Sequence, residues 1–147
     1  MATIKQRLDM SQMNHEYFEE TRILGIMTSL KNYRFVWMVD NHLSLNFSLY
    51  TDAHIEMHKK NRIYRFNLYT SAPTESGLIH YLYHNQCDGE ALIPELKHLD
   101  FIWLMKGDRI EDDRCALMME NIKKLEQVQL VTEISQEQIK NISNLII

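Results

Sequence analysis

Two short segments of the chain are apolar on both alternating rows. In residues 22–28, Ile23 and Met27 interleave with Leu24 and Ile26; in residues 99–106, the row Leu99, Phe101, Trp103, Met105 interleaves with Ile102 and Leu104. A strand with one wet face alternates apolar and polar residues, so a run apolar on both rows predicts a strand covered on both sides. The second run is expected at the centre of the sheet. Gly25, inside the first run, predicts a place where another group approaches the backbone closely.

Helical spacing accounts for most of the remaining apolar residues. Thr28 or Ser29 is placed to cap a helix over about residues 30–43, in which Tyr33, Trp37, Val36, Val39 and Leu43 form one stripe. Residues 54–58 and 63–69 alternate on either side of Lys59-Lys60-Asn61, which predicts a β-hairpin. Turn clusters at 71–77 and 85–90 bracket a β-prone stretch at 78–84, so a meander is the simplest connection. A second helix begins at Asp108 or Asp112 and runs to about Gln127 on the stripe Cys115, Met118, Ile122, Leu125. Residues 129–134 return as a strand. Ser135 and Gln138 then have capping-box spacing ahead of Ile139, Ile142 and Ile146, which predicts a short terminal helix.

Residues 1–20 are polar and weakly periodic, and are expected to be a flexible or loosely docked arm. Residues 21–147 are expected to form a single α+β domain. Its sheet is antiparallel-rich with five to six strands, two main helices lie on one face, and a short helix closes the C-terminus. This layout leaves a deficit: two strands need cover on both faces, while both main helices fall on one side. The other side is expected to be shielded by the C-terminal Leu145-Ile146-Ile147, by the N-terminal arm, or by a second copy in an isologous homodimer.

Composition narrows the setting. With 45% hydrophobic and 24% charged residues among 147, the chain is an ordinary folding sequence rather than a disordered one. A formal net charge of −4 opposes delocalised attraction to nucleic acid or anionic lipid. The first residues carry no apolar signal core, and the longest apolar runs are far too short to span a bilayer, so no membrane association is expected. Cys87 and Cys115 lack Cys-x-x-Cys spacing and fall in different contexts, which fits a reduced cytoplasmic location.

Residues 93–101 read Ile-Pro-Glu-Leu-Lys-His-Leu-Asp-Phe, a fixed-φ proline and two carboxylates set directly against the long apolar run. Pro94 suits the first position of a helical turn, and Glu95 then lies near its positive end, a placement worth about 0.3–1 kcal/mol. Asp100, at the mouth of the central strand, is predicted to accept backbone N–H groups or to pair with a base, because a buried carboxylate without partners is costly. This segment resembles the signature of the bacterial IPExxxVDY family, carried here by Ile93, Pro94, Glu95, Leu99, Asp100 and Phe101. A looser likeness covers residues 22–43, at Leu24-Gly25-Ile26 and Lys31-Asn32-Tyr33-Arg34. The resemblance implies no assigned activity. Leu99 replaces Val and Phe101 replaces Tyr; the second exchange removes a hydroxyl, so no step that needs a tyrosine proton at this position operates in this chain.

Candidate chemistry is sparse. Glu95, His98 and Asp100 are the best triplet of ligand or acid/base types. On a helix Glu95 and His98 share a face, but the strand that follows turns Asp100 elsewhere. His54 and His58, like His80 and His84, are four apart; on strands that spacing puts them roughly 13 Å apart, which argues against chelation and for an exposed strand face. No nucleophile elbow or glycine-rich phosphate loop occurs. Asp88 and Glu90 are expected to raise the Cys87 thiol rather than activate it. Neither a catalytic residue, a cofactor nor a metal is assigned.

Residues 58–69 interleave bases with aromatics, and Lys59, Lys60, Arg62, Tyr64 and Arg65 are the candidate RNA contacts. Against this, alternation puts Tyr64, Phe66 and Leu68 on one core-facing row. The sequence therefore predicts a non-enzymatic protein-interaction module that self-associates or holds another protein. RNA binding by the hairpin is the alternative, and a metal or acid/base site at Glu95, His98 and Asp100 the weaker one.

Overall fold

The two doubly apolar segments lie side by side at the heart of a six-stranded antiparallel sheet. A computed structural model describes Met13, residues 15–72 and residues 77–147 of the chain. Its strands include β1 (Arg22–Thr28), β2 (Ser48–Leu49), β3 (Ile55–Lys59), β4 (Arg62–Phe66), β5 (Leu68–Ser71), β6 (Leu78–His84), β7 (Gln86–Cys87), β8 (Glu90–Ala91), β9 (Phe101–Gly107) and β10 (Val128–Glu133). The main sheet runs β10-β1-β9-β6-β5-β2, so β9 is central as expected, and β3–β4 and β7–β8 are separate two-stranded ribbons. The expectation of an arm at 1–20 falls largely outside the described residues, as does most of the turn cluster at 71–77.

Two α-helices, α1 (Asn32–Leu43) and α2 (Asp112–Lys123), cover one face. There Phe35, Val36, Val39, Cys115 and Ile122 meet Leu24, Ile26, Phe101, Trp103 and Met105. Phe35 stacks on Phe101 with ring centroids 4.5 Å apart. The predicted stripe of α1 is rotated: Phe35 is in the core, whereas Tyr33 and Trp37 are each 64% exposed. Val36 and Val39 set the buried face, and positions 33 and 37 lie off it. The N-cap is Lys31 rather than Thr28 or Ser29; the Thr28 hydroxyl instead accepts the Leu30 N–H at 3.1 Å.

The opposite face is sealed by the chain itself. Ile23, Ile102 and Leu104 are covered by Phe18, by Tyr64 and Phe66 of the hairpin, by Leu92, Ile93 and Leu99, and by Ile134, Ile139 and Leu145. The deficit that motivated a second copy is therefore absent from the sheet faces, because the hairpin and the signature loop act as covers that helix counting overlooked. Leu99 also changes sides. It precedes the strand, and it packs with Ile134 against Gly25, where a Cβ would overlap Leu99 and lie 2.7 Å from Ile134 Cδ1.

Of the described N-terminal residues, Tyr17 and Phe18 are docked while Met13, His15 and Glu16 are exposed. Phe18 is fully buried, and the Lys106 ammonium sits 3.2 Å from the centre of the Tyr17 ring while donating to the Tyr17 carbonyl. Burial lowers the Lys106 pKa and raises that of Tyr17. The predicted short terminal helix takes the form of two 3-10 turns, Gln136–Gln138 and Ile142–Leu145. Gln138 does cap the Ser135 N–H at 2.8 Å. The Tyr83 hydroxyl donates to the Leu145 carbonyl, and Asn144 Nδ2 to the Leu92 carbonyl at 2.9 Å, so the segment lies flat as a strap.

Candidate functional site

Residues 93–101 are built as a brace. Pro94 opens a 3-10 turn, Pro94–Leu96, after extended Ile93, as its fixed φ and missing N–H favour. Glu95 reaches the C-terminal strap: its Oε1 accepts the Asn141 N–H and its Oε2 the Asn141 side-chain amide, both at 2.8 Å. Burial alone raises the Glu95 carboxyl, but these hydrogen bonds outweigh it and hold the pKa below the usual value. Asp100 accepts the Thr28 N–H at 2.9 Å, as predicted, and its own N–H donates to the Ile26 carbonyl at 2.8 Å. The motif thus ties the end of β1, the entry to β9 and the strap together.

The residue that organises this loop was not among those singled out in the sequence. Asn85 is fully buried; its Nδ2 donates to the carbonyls of Leu96 (3.0 Å) and Leu99 (2.9 Å), and its Oδ1 accepts the Ile93 N–H at 2.9 Å. Its backbone bonds both Asp100 and Leu92, each at 2.9 Å. Gln86 Nε2 adds donors to the Lys97 and Leu99 carbonyls at 2.8 and 3.0 Å. An amide just beyond an aromatic strand was the only cue, and it read as the start of a polar loop.

The metal or acid/base triplet does not assemble. Glu95 is occupied by Asn141, Asp100 by Thr28, and His98 is exposed. Among the described residues no three His, Cys, Asp or Glu side chains are grouped to hold a metal. The histidines divide: His54 and His58 are exposed and His84 half-buried, but His80 is only 2% exposed, which corrects the expectation of an exposed row. His80 Nδ1 lies 3.1 Å from Trp103 Nε1, whose N–H it accepts. Burial first, and the Arg114 charge second, lower its pKa to about 4, so it is a neutral core acceptor. Cys87 is half-buried among the strap-side residues.

The hairpin forms as predicted, with Lys60 and Asn61 both at positive φ in the turn, but its second strand ends at Phe66 rather than Tyr69, and residues 68–71 join the main sheet as β5. Its chemistry differs from a base-stacking platform. Tyr64 is buried with Phe66, so its ring faces the core. Lys59 pairs with Glu90 at 3.0 Å, Arg65 with Glu56 at 3.1 Å and Arg62 with Asp88 at 3.6 Å. Lys60 alone of the five candidate contacts is exposed without such a partner among the described residues. The bases are matched by acids from β3 and the β7–β8 turn, a complementarity invisible in a linear reading.

The exposed aromatic surface lies elsewhere, on α1. Tyr33 and Trp37 sit one turn apart on a helix whose other side is pinned by Phe35, Val36 and Val39. Lys31 and Arg34 are exposed beside them and form no ion pair with a described residue. No helix among the described residues is long and apolar enough to cross a membrane. Comparison of the chain with protein-family models, with curated proteins and with solved structures gave no match in any of the three.

Proposed function

We propose that the protein is a non-enzymatic, cytoplasmic interaction module that self-associates and offers the outer face of α1 to another protein. One observation carries the reading: Tyr33 and Trp37 are largely exposed on a helix immobilised by its buried side. Large aromatics on a rigid element lose little side-chain freedom on binding and are the residues most enriched at interface hot spots. The flanking Lys31 and Arg34 define the partner's chemistry as an apolar groove with an acidic rim. The same proposal takes residues 93–101 as an IPExxxVDY signature whose role is to brace the fold.

The test compares the wild-type chain with a Tyr33→Ser/Trp37→Ser variant and a Lys31→Glu/Arg34→Glu variant. Proteins retained from the native cytoplasm are identified, purified and titrated against each form. The reading expects a purified partner whose affinity falls at least tenfold with either variant while the variants keep the wild-type fold. Equal binding to all three forms, or retention of RNA that Lys59→Glu/Lys60→Glu/Arg62→Glu abolishes, overturns it.

A further inference from the structure

The main sheet ends unequally. One edge is β2, two residues long, and the other is β10, six residues long with β1 as its only neighbour among the described residues. Natural edges are usually blunted by charge, proline or a bulge, because their unpaired backbone groups template further pairing. In β10 the bulge lies at Gln129, where the register slips between Met27 and Thr28, so residues 130–134 beyond it continue as a regular edge. This stretch contains neither proline nor lysine, and its one charge, Glu133, is paired with Arg22 at 2.9 Å.

The direction of the backbone groups follows from one bond. The Ile134 N–H donates to the Ile23 carbonyl at 2.8 Å, so strand alternation turns Ile134, Thr132 and Leu130 toward β1 and aims the N–H and C=O of Val131 and Glu133 outward. We infer that this edge is the seam of a two-fold dimer, in which two copies join their sheets antiparallel about Thr132. The inference rests on the self-association part of the reading above and supplies its geometry.

In that register Val131 and Glu133 of each copy exchange backbone hydrogen bonds with Glu133 and Val131 of the other. Thr132 faces its own equivalent as a non-hydrogen-bonded pair, a favourable cross-strand match. Leu130, half-exposed in the single chain, comes to lie opposite Ile134 and extends the strap-side apolar cluster across the seam. No like charges oppose each other, since Glu133 falls opposite Val131. A two-fold axis at Glu133 instead would place two carboxylates together, and one nearer Gln129 would have to absorb the bulge.

The experiment uses the full chain, with mass measured by light scattering over roughly 1–100 µM so that mass action shows a reversible dimer. Wild type is expected to approach twice 17.6 kDa. Thr132→Lys, which sets two ammonium groups face to face at a half-exposed position, is expected to weaken the dimer at least tenfold with an unchanged circular dichroism spectrum. Thr132→Cys is expected to give a disulfide-linked dimer on mild oxidation, because Cα atoms of such a pair lie about 4.5 Å apart. Tyr33→Ser/Trp37→Ser is expected to remain dimeric. A wild-type dimer that Thr132→Lys leaves intact and Thr132→Cys does not cross-link overturns the seam while self-association stands. A single-chain mass at every concentration overturns both, and leaves partner binding by α1 to its own titration.

Discussion

Replacing Asn85 by Ala removes three side-chain hydrogen bonds of 2.9–3.0 Å from a fully buried position. The consequences for the three partners differ. The Leu96 carbonyl keeps the Leu99 N–H at 2.9 Å, and the Leu99 carbonyl keeps the Gln86 amide at 3.0 Å, so neither is stranded. The Ile93 N–H, on a residue with no exposure, loses its acceptor. Three bonds at about 1 kcal/mol each, with about 1–3 kcal/mol for the desolvation of one orphaned donor, total roughly 4–6 kcal/mol. That is a large share of the roughly 5–15 kcal/mol that keeps a domain folded. Urea unfolding should show a midpoint about 2–3 M lower at unchanged m-value, for m near 2 kcal/mol/M. Asn85→Asp should be worse at neutral pH, because a carboxylate then faces two carbonyls. Its pKa is raised in the fold, so the stability that its neutral form retains below the unfolded value is lost as pH rises. A loss under about 1 kcal/mol for Asn85→Ala would refute the claim that this amide holds the signature loop.

Acid should destabilise the protein in two separable windows. His80, neutral in the fold with its pKa lowered to about 4, makes stability full above pH 6.5 and lost by roughly 3 kcal/mol as pH falls toward 4, and His80→Asn should flatten that slope in pH-dependent denaturation. Glu95, whose carboxyl is held below its ordinary 4.5, contributes stability that is present above that value and disappears as pH falls through its lowered pKa; Glu95→Gln should remove only this acid limb and should speed amide exchange at Asn141. Gly25→Ala forces Leu99 and Ile134 apart and should cost about 1–3 kcal/mol by thermal or urea unfolding. Tyr33→Ser/Trp37→Ser, confined to exposed positions, should change stability by less than about 0.5 kcal/mol while abolishing partner binding.

The doubly apolar segments gave away the centre of the fold, because burial on both faces leaves a local trace in every residue of the run. The order of the longer elements was legible from their periodicity and the strap's cap from the Ser135–Gln138 spacing, whereas β2, β7, β8 and the separate β5 are too short to leave such a trace. What covers the second face was legible only in part: the N-terminal arm and the C-terminal segment were expected there and supply Phe18 and Leu145, whereas the hairpin and the loop at 92–99 were not foreseen, since they contribute only a few apolar residues each and meet the sheet over long sequence separations. The rotation of α1 escaped because Tyr33, Val36 and Trp37 fit a stripe as well as Phe35, Val36 and Val39 do. Asp100 could be foreseen from the cost of burying a carboxylate. Asn85 could not, because its three partners are backbone atoms that the loop brings to it. The acids that neutralise the hairpin come partly from another ribbon, so charge counting along residues 58–69 overstated its positive character.

The central claim is that this chain covers both faces of its own sheet and meets other molecules only at its periphery. Residue-resolved amide exchange at roughly 1 and 100 µM addresses it directly, because protection that depends on concentration marks intermolecular burial. β1 and β9 should be equally protected at both concentrations, with Val131 and Glu133 gaining protection only at the higher one. Rapid exchange of β9 in the dilute sample would contradict it, for the second face would then owe its cover to another chain.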